Sequence, residues 1–457
     1  MQTLPSDSGS GLVLAPFRGI RYARDRVSGI ANVTSPPYDV INGGVLDRLR
    51  ASDPYNVVRL ILPGQGAGAS QAAAARLREW LSAGVLIRDR MAALYIYEQN
   101  GAEDSWRQRG IVGLVRLGPP EVAAILPHEG VMPGLVAGRR ELMAATQANL
   151  EPIFLIYNGD QASATAETAT EVMDRVAAER APLVSITTED GTTHRLWRLG
   201  DPAEQATIAA DLAGRRALIA DGHHRYAAYL DLQAEMREGG LGDGPWDYGL
   251  AFLVDSAAYP PRLGAIHRVL PGLAPDLAAE LAKGAFTVQD LPAGLGLDGA
   301  LWRLAAAGRE GTAFLLAGGP VFRLLSHPDP VQLAAAMPPG MSASWQRLDA
   351  SVMQHLLLGR LWGRTDSERD VLIDHDAADA VRAVSGDVSA IDVAEREGAG
   401  AGSARPAAGG TAVISNPASF EAVIGIAACG ERVPRKSTSF GPKPRTGLVL
   451  RTFGPAD

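Results

Sequence analysis

Short runs of β-branched and apolar residues alternate with Ala/Leu-rich stretches of helical period along almost the whole sequence. Such alternation admits few architectures: strands that must be buried on at least one face, covered by amphipathic helices, in a mixed α/β or α+β protein. The pattern predicts strands over 57–62, 93–97, 111–117, 153–157, 217–220, 249–254, 312–316, 321–325 and 371–374. It predicts helices over 69–83, 139–149, 162–179, 203–214, 224–238, 275–283, 348–362 and 377–384. Asn416 and Pro417 read as the N-cap and first residue of a further helix over 418–428, with Gly430 as its stop.

A chain of 457 residues exceeds one hydrophobic core, so two or three subdomains are expected. Soft boundaries fall at 1–200, 201–390 and 391–457, because 395–410 (EREGAGAGSARPAAGG) offers little to bury and reads as a flexible surface loop. The formal net charge of −8 argues against non-specific nucleic-acid or anionic-membrane binding. A single cysteine, Cys429, excludes an internal disulfide framework and fits a reducing compartment. With no signal-peptide pattern at the start and no long apolar run, a cytoplasmic location and no membrane span are expected. The oligomeric state stays open, a homodimer included.

The segment richest in chemistry is Ala217-Leu218-Ile219-Ala220-Asp221-Gly222-His223-His224-Arg225-Tyr226. An apolar strand runs into a glycine turn, and Ala227, Leu230 and Ala234 continue with helical spacing. The first amides of such a helix point outward, and with the helix dipole they form an anion site. Gly222 admits close approach to the backbone, while His223, His224 and Arg225 add donors suited to phosphate. Asp221 can cap the helix or hold Mg2+. Each residue taken singly is also explained by a capped helix with a polar surface; the cluster is what points to phosphate.

Two further clusters stand out. In Pro127-His128-Glu129-Gly130, a carboxylate beside a histidine precedes a helix bearing Arg139, and Glu129 has the chemistry of a general base for a hydroxyl. Near the C-terminus, Arg435, Lys436 and Lys443 accompany Ser437, Thr438 and Ser439 with no carboxylate among them, which points to an anionic ligand. The prolines of 35–41 (SPPYDVI) fix an extended turn from which Asp39 can face a site. No Walker A loop, glycine-rich dinucleotide fingerprint or zinc-protease signature is present.

The segments PFRGIRY (16–22), SPPYDVI (35–41), PHE (127–129), NLEPIFLIY (149–157), ADGHHRY (220–226) and PRKSTSFGPK (434–443), in that order, resemble a bacterial and archaeal family, domain of unknown function 1015. The DGHHR turn is similar to that of ParB/sulfiredoxin-like proteins, in particular the free L-serine kinases. The resemblance implies a ParB/sulfiredoxin-like phosphate-binding core with additional α/β subdomains. It also implies a phosphotransferase that uses ATP or ADP with Mg2+ on a free hydroxy amino acid such as L-serine. Glu129 would be the base, with Asp221 and His223 in the catalytic group and Asp221 the metal ligand. Gly222, His223, His224 and Arg225 would bind the nucleotide phosphates. Lys436, Ser437, Thr438, Lys443 and Arg139 would hold the substrate. Gly134 to Gly138 departs from the relatives' pattern, and 395–410 looks like an insertion. A phosphatase or nucleotide hydrolase using the same turn, or a ParB-like nucleotide switch, remains an alternative.

Overall fold

The computed structural model describes residues 11–64, 66–118, 124–160, 167–365, 370–385 and 409–453. Almost all of the loop expected over 395–410 lies outside them. The chain divides into two units, each assembled from separated stretches. The first comprises Met1–Pro127, Val131–Pro261 and Pro442–Asp457; the second comprises His128–Gly130 and Arg262–Gly441. This differs from three consecutive segments. The strands on either side of residue 200, at Thr193–Leu199 and Ala217–Asp221, belong to one sheet, so the chain does not change unit there.

The first unit is built on a nine-stranded mixed sheet. Its strands are β1 (Leu14–Ala15), β2 (Leu94–Asn100), β3 (Arg107–Arg116), β4 (Ile125–Leu126), β5 (Ile153–Tyr157), β6 (Val184–Thr187), β7 (Thr193–Leu199), β8 (Ala217–Asp221) and β9 (Tyr248–Asp255). They run in the order β4-β8-β5-β9-β3-β2-β7-β6, with β1 on β3. β8 is parallel to β4 and β9 to β5, while the other pairings are antiparallel. Strands β2, β5, β8 and β9 are buried along their full length, which is why 94–97, 153–157, 217–220 and 250–254 within them read as continuous apolar runs rather than alternating ones. The helices include α1 (Ala69–Ser82), α2 (Pro133–Thr146), α3 (Ala169–Glu179), α4 (Pro202–Leu212) and α5 (His223–Glu238). One core joins Val172, Ile208, Tyr229 and Leu232 of the helices to Ile96, Leu155 and Ile219 of the strands.

The second unit holds a six-stranded antiparallel sheet. Its strands are β10 (His267–Pro271), β11 (Thr287–Asp290), β12 (Ala313–Ala317), β13 (Arg323–Ser326), β14 (Leu372–Asp374) and β15 (Gly410–Ser415). Their order is β11-β13-β12-β15-β10-β14. A separate pair joins Arg262–Gly264 to Ser439–Gly441.

Three local expectations are corrected. Residues 57–62 are not a strand: Val58–Ile61 is a short helix, because the buried Asn56 side chain accepts the Val58 N–H at 2.9 Å and starts a turn. The helix expected over 348–362 is a short α-turn, Asp349–Val352, followed by a π-helix at Met353–Leu361. The last helix spans Phe420–Ala428 and is capped by Ser419, whose hydroxyl accepts from Ala422 N. Among the described residues, no helix is long and apolar enough to cross a membrane.

Candidate active site

Strand β8 ends at Asp221, and Gly222 turns the chain into α5 with φ 95° and ψ 29°. That conformation suits glycine, and a Cβ here would stand 3.1 Å from Arg225 Nε. No side chain caps the first turn of α5, so its amides and dipole keep the character of an anion-binding end. His224 lies beside the start of α2: Met132 N–H donates to His224 Nε2 at 3.1 Å, which puts the imidazole proton on Nδ1.

Arg225 is not the free donor that its position in the sequence promised. The residue is 3% exposed, and its two terminal nitrogens bond Asp221 Oδ2 and the Pro152 carbonyl. Lys443 is also spoken for: its ammonium contacts Asp39 and lies 2.7 Å from Asp221 Oδ1. Burial works against the charged forms of Asp221, Arg225 and Lys443, but their mutual attraction outweighs it. Asp221 is held below the usual carboxylate range, and Arg225 and Lys443 are held above theirs. Both oxygens of Asp221 therefore serve cations. Among the described residues, no group of three or more His, Cys, Asp or Glu is placed so that it could hold a metal ion. As arranged, Asp221 does not fit the role of a magnesium ligand expected for it, and no step is assigned to a metal here.

Beneath the turn, the Tyr38 ring lies 3.9 Å from the Arg139 guanidinium carbon and 5.8 Å from that of Arg225. Arg139 also donates to the Ile61 carbonyl at 2.9 Å. Glu151 is fully enclosed; its Oε1 accepts Tyr38 N–H at 3.1 Å and the Thr446 hydroxyl at 3.2 Å. Burial raises its pKa, with Arg225 and Arg139 pulling the other way. A cavity of about 20 Å³ bounded by Arg139, Glu151 and Arg225 has room for about one water. Three cations and three carboxylates (Asp39, Glu151, Asp221) thus interlock around the turn. Sequence reasoning missed Glu151; its signal was a carboxylate immediately ahead of the apolar run 153–157.

In the second unit, His128 and Glu129 meet Thr438. The Thr438 hydroxyl donates to Glu129 Oε1 at 2.9 Å, and His128 Nε2 lies 2.8 Å from the same oxygen. A hydroxyl has one proton; with it directed to the carboxylate, His128 Nε2 must be the donor in the other bond. His128 is fully buried, edge-on to Phe440 at 5.7 Å, and its carbonyl accepts Val433 N–H at 2.8 Å. The loop carrying Thr438 is pinned from below. Buried Arg268 donates to the Arg435 and Lys436 carbonyls at 3.2 and 2.9 Å, Lys436 takes a left-handed φ of 55°, and Ser437 Oγ bonds the Pro434 carbonyl. The cationic C-terminal cluster therefore splits: Lys436, Ser437 and Thr438 belong to the second unit, and Lys443 to the first.

A hydroxyl already hydrogen-bonded to a carboxylate is the arrangement a general base requires. An uncapped helix start after a glycine turn is what a phosphate group requires.

A search of curated proteins found no match. Among solved structures, a free serine kinase variant in complex with ADP is similar at 13% identity, covering 71% of this chain and 89% of that chain, with a TM-score of 0.34. SbnI with a C-terminal truncation, from Staphylococcus aureus, is similar at 11% identity over 73% of this chain and 85% of that one, with a TM-score of 0.31. A conserved hypothetical protein from Pyrococcus furiosus gives 12% identity, 71% and 90% coverage and a TM-score of 0.31. A family model described as a protein of unknown function, DUF1015, matches residues 14–351. The chain belongs to that family.

Proposed function

We propose that this protein is a phosphotransferase that moves a phosphoryl group from a nucleotide, ATP or ADP, to the hydroxyl of a small metabolite in the cytoplasm. A free hydroxy amino acid such as L-serine is the acceptor. The single observation that carries the reading is the 2.9 Å hydrogen bond from a hydroxyl to Glu129. It supports Glu129 as a base able to take a hydroxyl proton, the one task phosphoryl transfer to an alcohol demands beyond positioning and charge. The motif resemblance supports the same role.

In this reading the amides of Gly222 and of His223 and His224 at the start of α5 take the nucleotide phosphates. Asp221 and Arg225 hold the turn in shape. Lys436 and Thr438 face the acceptor while Ser437 holds their loop, and Arg139 and Lys443 fix the Tyr38-Asp39 segment beside the turn. The test is to incubate the purified protein with magnesium, ATP, ADP or CTP in turn, and a pool of hydroxyl metabolites, and to analyse products by mass spectrometry. A phosphorylated amino acid is the expected result. Release of bare phosphate with no phosphorylated metabolite would replace the kinase reading by that of a nucleotide hydrolase.

A further inference from the structure

Glu129 accepts a proton-bearing hydroxyl from its own chain. The Thr438 Oγ proton points at Glu129 Oε1, 2.9 Å away, and one lone pair is held by His128 Nε2 at 2.8 Å. One lone pair is left on Oγ, and with a base on its proton that oxygen has the makings of an activated nucleophile. Thr438 is only partly buried, so an electrophile can reach it. The side chain does not wander either. Arg268 and the neighbouring Ser437 bond fix its loop, and His128, without solvent exposure, fixes the oxygen.

From this geometry we infer that Thr438 is itself a phosphoacceptor: the protein phosphorylates its own Thr438 when no small hydroxyl substrate is present. The inference rests on the nucleotide-dependent phosphotransferase reading. In the step, Oγ of Thr438 forms a bond to the γ-phosphorus of a nucleoside triphosphate as the bond from that phosphorus to the β-bridging oxygen breaks. The Thr438 proton passes to Glu129, and a nucleoside diphosphate leaves. The product sets a phosphate of charge about −1.5 to −2 against the Glu129 carboxylate. Like charges at hydrogen-bond distance repel, so the phosphorylated form turns the base away from its working position. The modification is therefore an off state for transfer to small acceptors.

The experiment is intact-mass and phosphopeptide analysis of the full chain after incubation with magnesium and ATP, with and without a hydroxyl-metabolite pool. The expected result is one added phosphoryl group, mapped to Thr438, slowed when the metabolite pool is present. It should disappear in Thr438→Val, persist in Thr438→Ser and form at least about a hundredfold more slowly in Glu129→Gln. Phosphorylation of the metabolite by wild-type protein whose own mass stays unchanged overturns the Thr438 proposal and leaves the function standing. A phosphoryl group mapped to any other residue overturns it as well. If neither protein nor metabolite gains a phosphoryl group with any nucleoside triphosphate or with ADP, both readings fall together.

Discussion

The Lys443 ammonium stands 2.7 Å from Asp221 Oδ1, tying the C-terminal stretch of the first unit to the strand end that opens the DGHHR turn. Asp221 takes Arg225 on its other oxygen, and Lys443 takes Asp39. Breaking a buried ion pair leaves a charge without its partner, typically at a cost of about 3–5 kcal/mol. Lys443→Ala should cost less than that range, because the Lys443 side chain is 23% exposed and Arg225 stays on Asp221. Arg225→Ala should cost more of that range, and Arg225→Lys should not restore it, since one ammonium cannot reach both Asp221 and the Pro152 carbonyl as the guanidinium fork does. Urea unfolding of the three variants checks this; midpoints equal to wild type would mean a solvated surface bridge.

Gly222→Ala forces a side chain into the left-handed region, at a cost of about 1–2 kcal/mol. Its Cβ would also press on Arg225 Nε at 3.1 Å. Thermal unfolding should show the loss, and Gly222→Asn should lose less, because Asn tolerates this conformation better. Nucleotide titration of both variants should show weaker binding, as the backbone of the turn shifts.

Much of this turn was legible in the sequence, and its partners were not. An apolar run ending in Asp-Gly and followed by helical spacing is local information, and the strand Ala217–Asp221 and the helix from His223 lie where it put them. That Lys443 neutralises Asp221, or that Thr438 meets Glu129, depends on pairings far apart in the chain, which no window of local pattern contains. The helix Pro133–Thr146 was read as beginning at Arg139 because Gly134 and Gly138 weaken its helical signal, although Pro133 at its first turn is a start signal. Residues 57–62 misled in the opposite sense. Their β-branched content spoke for a strand, and the Asn56 side chain, by accepting the Val58 N–H, turns the chain into a helix.

His194 gives a pH dependence. Its Nδ1 lies 2.8 Å from the Tyr97 hydroxyl, and burial, with Arg445 nearby, lowers its pKa to about 3. An unfolded chain has a histidine pKa of about 6.5. Between those values the unfolded state binds the proton and the folded state does not, so stability falls as pH falls from about 6.5 towards about 3. His194→Gln removes that proton uptake. The stability difference between wild type and variant should shrink steadily from pH 7 to pH 5 in denaturant titrations. A constant difference would mean the histidine titrates alike in both states.

Glu129→Gln keeps the size of the side chain and an oxygen for the Thr438 hydroxyl but removes the base. Product formation should drop at least about a hundredfold, with nucleotide affinity and melting temperature close to wild type. Steady-state kinetics and calorimetry on the same preparation separate the two effects. A variant that keeps most of its turnover would take Glu129 out of the chemistry. One that loses nucleotide binding would place it with the phosphates.

The chain enters the second unit at His128, leaves it three residues later and returns to it only at Arg262, while the first unit is completed by Pro442–Asp457. During synthesis the ribosome therefore delivers all nine strands of the first unit's sheet before the stretch of chain that neutralises Asp221 exists. Arg451, which bonds Asn149 and the Tyr248 carbonyl, emerges later still. Neither unit can be cut out as a single uninterrupted gene fragment. A nascent chain stalled before residue 442 carries an Asp221 that has not met its lysine, so the DGHHR turn is completed only after both units' sheets have been synthesised.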